Sequence, residues 1–169
     1  MDLLTVSRVV SAVALVIGIL FGMLQLRQYD QRRRRENALE LVHSFQTAPF
    51  AKALEMIFRM PEGLNRREVE AWVGDDRTSV LLIISTWESL GILVHRRELD
   101  LDLVDDFFSG PIVVTWRKLR TYIEEVRRDE SRDTFAEWAQ WLAERMLDRE
   151  SDTPPVPAHI AHRSWEPKP

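Results

Sequence analysis

Between Glu88 and Gly110 the chain reads ESLGILVHRRELDLDLVDDFFSG, which sets Asp100, Asp102, Asp105 and Asp106 close together behind Glu88. Clustered carboxylates can bind divalent cations or pass protons between them. A calcium loop, however, alternates its ligands and needs glycine at its sixth position and glutamate at its twelfth. Counted from Asp100, the sixth residue is Asp105, and the apolar residues between the acids suit a helix. Helix capping therefore accounts for the cluster. Asp100 is expected as the N-cap and Asp102 in a first turn that favours negative charge. Asp105 and Asp106 fall on the outer face, and Ser109-Gly110-Pro111 is expected to end the helix.

Glu88 calls for a different account. It lies among Leu81, Ile84, Trp87, Gly91 and Ile92, in a helix apolar on nearly every side. A buried carboxylate must be paired or protonated. Arg117, Arg120 or Arg127 of the next helix is the expected partner, which makes Glu88 a buried structural polar group. A catalytic acid is the alternative, but no second carboxylate or histidine is evidently presented with it. Glu40 and His43 have the E-x-x-H spacing of di-iron bundles, without the second pair such a site needs. His159 and His162 lack a third ligand. No P-loop, G-x-G-x-x-G, G-x-S-x-G or H-E-x-x-H occurs. With no cysteine in the chain, thiolate chemistry is excluded. No cofactor, metal or small-molecule site is recognisable, and the expectation is a protein that is not an enzyme.

The elements that position these residues begin with an apolar head. Val9 to Leu26 carries no charge. As a helix this run spans roughly 27 Å, enough to cross a bilayer core. No small-residue cleavage site follows it, which argues against a signal peptide. Arg27, Arg32, Arg33, Arg34 and Arg35 stand just beyond the span, with only Arg8 before it. The positive-inside rule then puts the short N-terminus (residues 1–8) outside and the C-terminal domain in the cytoplasm. Residues 1–35 hold six basic and two acidic side chains, so the remaining 134 residues carry a net charge of −8 within the total of −4. The arginines are read as contacts to anionic lipid headgroups rather than to nucleic acid, because the body behind them is acidic.

Residues 27–47 are expected to continue as a helical stalk with Leu39, Val42 and Phe45 on one face. Within the span, Ala14, Gly18 and Gly22 recur every fourth residue, a spacing that lets two membrane helices approach closely. A small helical domain is expected over 48–149. Its signals are Thr47-Ala48-Pro49, an Asn65 cap, Asp75 or Asp76 before a long apolar helix, a helix from Pro111, and a last helix from Asp133 to Arg149. No useful stretch alternates with period two, so the fold class is all-α, with about five to six helices in the body. Residues 150–169 are proline-rich and are expected to form a flexible tail, in which Trp165 is the candidate partner contact.

At ESLGILV, ELDLDLVDDFFSGPIVVTW and FAEWAQWLAERM the chain resembles a bacterial domain-of-unknown-function family, numbered 4760. Glu88, Gly91, Asp102, Gly110, Trp116, Leu119, Trp141, Leu142 and Ala143 carry the resemblance, which covers roughly residues 1–150. It departs at TWES, where the family usually has an asparagine and a phenylalanine or tyrosine ahead of the glutamate. The resemblance implies one N-terminal membrane helix, a basic flank and a small cytoplasmic helical domain, and it implies no activity. The function expected is a single-pass protein of the bacterial inner membrane that presents an interaction domain, as scaffold, adaptor or regulator, to a protein partner or another copy of itself. An enzyme built around Glu88, or an effector that assembles through its membrane helix, is the alternative.

Overall fold

Three of the helices begin where a neighbouring side chain, that of Thr47, Asn65 or Asp100, caps the first turn. In the computed structural model, which describes residues 21–23, 25, 45, 47–152 and 156–167, the chain forms two compact units, Met1–Phe45 and Gln46–Pro169. In the first unit, residues 21–23, 25 and 45 are helical. The rest of the expected span and stalk, including Ala14, Gly18, Arg27 and Arg32 to Arg35, lies outside the described residues.

The second unit is a helical bundle, with no strand among the described residues. Helix α1 is Ala48–Arg59, where the Thr47 hydroxyl accepts from the Phe50 amide and Pro49 occupies the first turn. Its far end is closed by Lys118, whose ammonium donates to the Phe58 and Met60 carbonyls. Helix α2 is Arg66–Val73. Asn65 and Glu68 cap each other's backbone amides at 3.0 and 2.9 Å, and Gly74 ends the helix at φ 55°. Helix α3 is Arg77–His95, α4 is Leu101–Glu130, α5 is Glu137–Asp152 and α6 is the single turn Ala158–Ala161.

Helix α3 is the central element, packed against α1 and α5, while α4 packs on α5, α2 and α1. Val80, Ile83, Ile84, Trp87, Leu90, Gly91 and Val94 form its buried face. The core is completed by Ile57, Val104, Ile112, Leu119, Ile123, Leu142 and Met146. Among the described residues α3 is also the one helix long and apolar enough to cross a membrane: 19 residues, mean hydropathy 1.4. Its buried face is covered by the bundle.

Two boundaries differ from expectation. Ser109-Gly110-Pro111 does not end a helix, because α4 runs through it for 30 residues. A proline disfavours helical backbone in the residue before it largely by clashing with that residue's Cβ, and Gly110 has none. Phe107, whose carbonyl loses its normal donor at Pro111, is 49% exposed. The apolar face meanwhile continues without a break from Val104 through Ile112, Leu119, Ile123 and Val126. At the other boundary, α5 begins at Glu137 rather than Asp133. Ser131 and Ala136 adopt left-handed backbone, at φ 52° and 58°, and the Arg127 guanidinium donates to the Phe135 carbonyl at 2.8 Å, holding residues 133–136 as turns.

Candidate functional site

Glu88 lies one turn before Gly91 on the face of α3 that meets the start of α5. A Cβ on Gly91 would stand 2.3 Å from the Trp138 carbonyl oxygen and 2.8 Å from its carbon, so only glycine permits this approach. That approach brings the opening amides of α5 to Glu88. Its Oε2 accepts from the Ala139 amide at 2.8 Å, and the Trp138 amide also bonds to the carboxylate. Glu88 thus caps a helix that begins about fifty residues later, satisfying amides that have no partner within their own helix.

The expected arginine pair is not formed. No ion pair joins Glu88 to an arginine among the described residues. Arg127 instead bonds the Phe135 carbonyl and the Gln140 side chain, Arg120 pairs with Glu124 at 2.8 Å, and Arg117 lies 3.8 Å from Glu150. Burial pushes the Glu88 carboxyl above its ordinary range, and Glu137 adds to that effect. The two backbone bonds and the more distant charge of Arg127 pull it down, but burial is the largest influence.

Outside this seat lies an open groove of about 970 Å³. Thr78, Leu81, Leu82, Ile84, Ser85 and Glu88 of α3 form its floor. Ala48, Pro49 and Lys52 of α1 form one wall, and Arg132, Thr134, Phe135 and Ala136 form the other. Leu81 is 51% and Leu82 36% exposed. The hydroxyls of Ser85 and Thr86 donate back to the Leu82 carbonyl, and that of Ser89 to the Ser85 carbonyl. The outer face of α3 therefore behaves as a surface of small and apolar groups whose hydroxyl protons are already used. At one end Asp76 receives bonds from Lys52 at 2.7 Å and Ser79 at 2.8 Å, chiefly the lysine holding its carboxyl below the usual range. At the other end Arg132 stands over the Phe135 ring at 5.2 Å.

The aspartate cluster serves structure. Asp100 accepts from the Asp102 amide at 3.0 Å as the N-cap. Asp102 and Asp105 both hold Arg149 of α5, at 2.6 and 3.2 Å, and Asp106 is exposed. No group of three metal-ligating side chains occurs among the described residues. Trp138 and Trp141 pack on the His95 ring, at 4.6 and 5.9 Å. Gly22 has no atom within 4 Å of where a Cβ would stand. Trp165 is 71% exposed, in a segment from Val156 to Pro167 that is exposed throughout.

Among known families, the model described as "Domain of unknown function (DUF4760)" matches residues 10–146. The chain belongs to this family. No curated protein and no solved structure matches it. The family match ends inside α5, so all of the DUF4760 bundle up to Met146 falls within it, including the Glu88–Gly91 seat and the groove, while the proline-rich tail falls outside. The groove and Arg149 were not singled out from the sequence. A glycine three residues after a glutamate inside an apolar helix was the one available signal of the seat.

Proposed function

We propose that this DUF4760 chain is a single-pass protein of the bacterial inner membrane whose cytoplasmic helical domain docks a protein partner, and that it has no catalytic role. The groove on α3 carries the reading: Leu81, Leu82 and Phe135 line it, and Leu81 and Leu82 are exposed on a bundle whose other large apolar residues are mostly turned inward. Exposed apolar surface flanked by charged groups marks interaction sites. The uncharged run Val9–Leu26 and the five arginines after it support the anchor and its orientation. Those arginines contact anionic headgroups, and Ala14, Gly18 and Gly22 offer a face for association between spans.

Two experiments test this. A reporter fused after Pro169 should be active only in the cytoplasm, and an extracytoplasmic signal overturns the orientation. Leu81→Glu should remove a partner that copurifies in stoichiometric amount with the wild-type chain while leaving the thermal unfolding of the domain unchanged. Retention of that partner removes the groove from the account.

One observation favours the enzyme reading: Glu88 lines a solvent-open groove with its carboxyl raised. Glu137, whose charge also raises Glu88, does not line the groove, and the other lining carboxylate, Asp76, lies twelve residues away on the helix, or about 18 Å of rise. That is beyond the reach of a paired acid and base.

A further inference from the structure

The groove is one uncovered apolar feature of the second unit, beside the singly exposed Phe58, Trp72 and Phe107. A second is the C-terminal segment, where Val156, Ile160 and Trp165 are 58%, 57% and 71% exposed. The two features match in order of chemistry. Along the groove, the apolar floor of Leu81 and Leu82 leads to a half-buried carboxylate, Glu88, beside the ring of Phe135. Along the segment, Ile160 is followed by the cation Arg163 and then by the ring of Trp165.

Reach decides which copy's segment fits. The groove lies at the start of α5 and the segment leaves from its end, so α5 separates them by about 24 Å. Five fully extended residues from 153 to 157 span at most about 18 Å, and the α6 turn advances only about 1.5 Å per residue. At full stretch Ile160 of the same chain therefore reaches only the Glu88 end of the groove, and not the Leu81–Leu82 floor about two turns further along α3.

We propose that the groove receives the C-terminal segment of a second copy of this chain, with Ile160 and Trp165 on the apolar floor and Arg163 opposite Glu88. The inference rests on the docking reading above and names its partner. Reciprocal exchange uses the same two surfaces on both copies, which closes the assembly as a two-fold pair. The guanidinium supplies an ion-pair partner, which Glu88 does not have among the described residues. The α3 hydroxyls that line the groove are already used, Ser85 on the Leu82 carbonyl and Thr78 and Ser79 on Asp76, and leave no stranded donor beneath the incoming segment.

The chain's lack of cysteine makes a direct test available. Full-length Ser85→Cys and Ser164→Cys chains, carrying different tags, would be mixed and treated with a short bifunctional maleimide. Both serines are exposed, so neither change disturbs packing. The expected product is a covalent heterodimer of the two tags. Its yield should fall about tenfold when Trp165→Ala is added to the Ser164→Cys chain, the loss that follows from removing one large buried side chain. Three results overturn the proposal: a cross-link only within a doubly substituted chain, Ser85→Cys pairs alone, or no cross-link. If Leu81→Glu abolishes a copurifying partner while Trp165→Ala leaves it bound, docking at the groove stands and the tail as its occupant falls.

Discussion

At the scale of single residues, Glu88 and Gly91 act together: the glycine admits the Trp138 backbone and the carboxylate receives the amides it brings. Removing either should expose the dependence. Gly91→Ala must push α5 away from α3, because the obstacle is backbone and no side chain can swing aside. A loss of about 1–3 kcal/mol or more in denaturant unfolding is expected, the usual range for overpacking. Glu88→Ala strands the Ala139 amide and should cost about 1–3 kcal/mol. Glu88→Gln is different, since an amide oxygen can still accept while no charge is buried; a change under about 1 kcal/mol at neutral pH is expected.

The pH dependence has a definite sign. Burial raises the Glu88 carboxyl above its ordinary value of 4.5, so the folded state holds its proton longer than the unfolded chain does. The corresponding stability is fully present below the unfolded value and declines as pH rises through the folded one. Unfolding measured across that range should show a downward contribution in the wild type that Glu88→Gln removes. An unchanged profile would mean that Glu88 does not titrate differently on folding.

At the scale of elements, α4 shows how a local stop signal is overridden. Ser109-Gly110-Pro111 has the composition of a terminus, yet the apolar face on both sides of it belongs to one helix. Gly110 is a concession to the proline ring, and this gives a prediction in which the sign reverses. Gly110→Ala should lower stability beside Pro111, where its Cβ meets the ring. In a Pro111→Ala background it should raise stability by about 1 kcal/mol, the ordinary helix preference for alanine. Thermal unfolding of the four chains reads the coupling directly; simple additivity would remove the steric explanation.

The same contrast separates what could be read in the sequence from what could not. Thr47, Asn65, Gly74 and Asp100 announce their helix ends because a cap depends on a few neighbouring atoms. The all-α class and the inward stripes follow from spacing alone. The partner of Glu88 depends on which helix folds back beside it, and that helix begins 49 residues further on. The groove was hidden for the same reason. Leu81 and Leu82 look like core residues until the neighbouring helices are placed and leave them uncovered. The arrangement Asp102–Arg149–Asp105 likewise needs two helix ends to meet.

At the scale of the whole molecule, the central place of α3 has a consequence for how the chain is made. The ribosome delivers α3 before α5, so on the membrane-anchored reading proposed above the most apolar helix of the domain emerges with one side bare, next to a translocon already engaged with Val9–Leu26. Until Glu137 and the residues after it arrive, the bilayer competes with a bundle that does not yet exist. Arg96 and Arg97, which follow α3 directly, would have to cross the membrane for it to insert, and two arginines resist that passage. On that reading they would act as a brake during synthesis, a task separate from any contact they make once folding is complete. A chain ending at Ser131 with Arg96→Ser and Arg97→Ser should expose a label placed just after residue 97 on the outer side of the membrane. The same truncation with both arginines retained should expose far less, and the full-length chain none. Equal exposure with and without the arginines would show that folding speed alone keeps α3 out of the lipid.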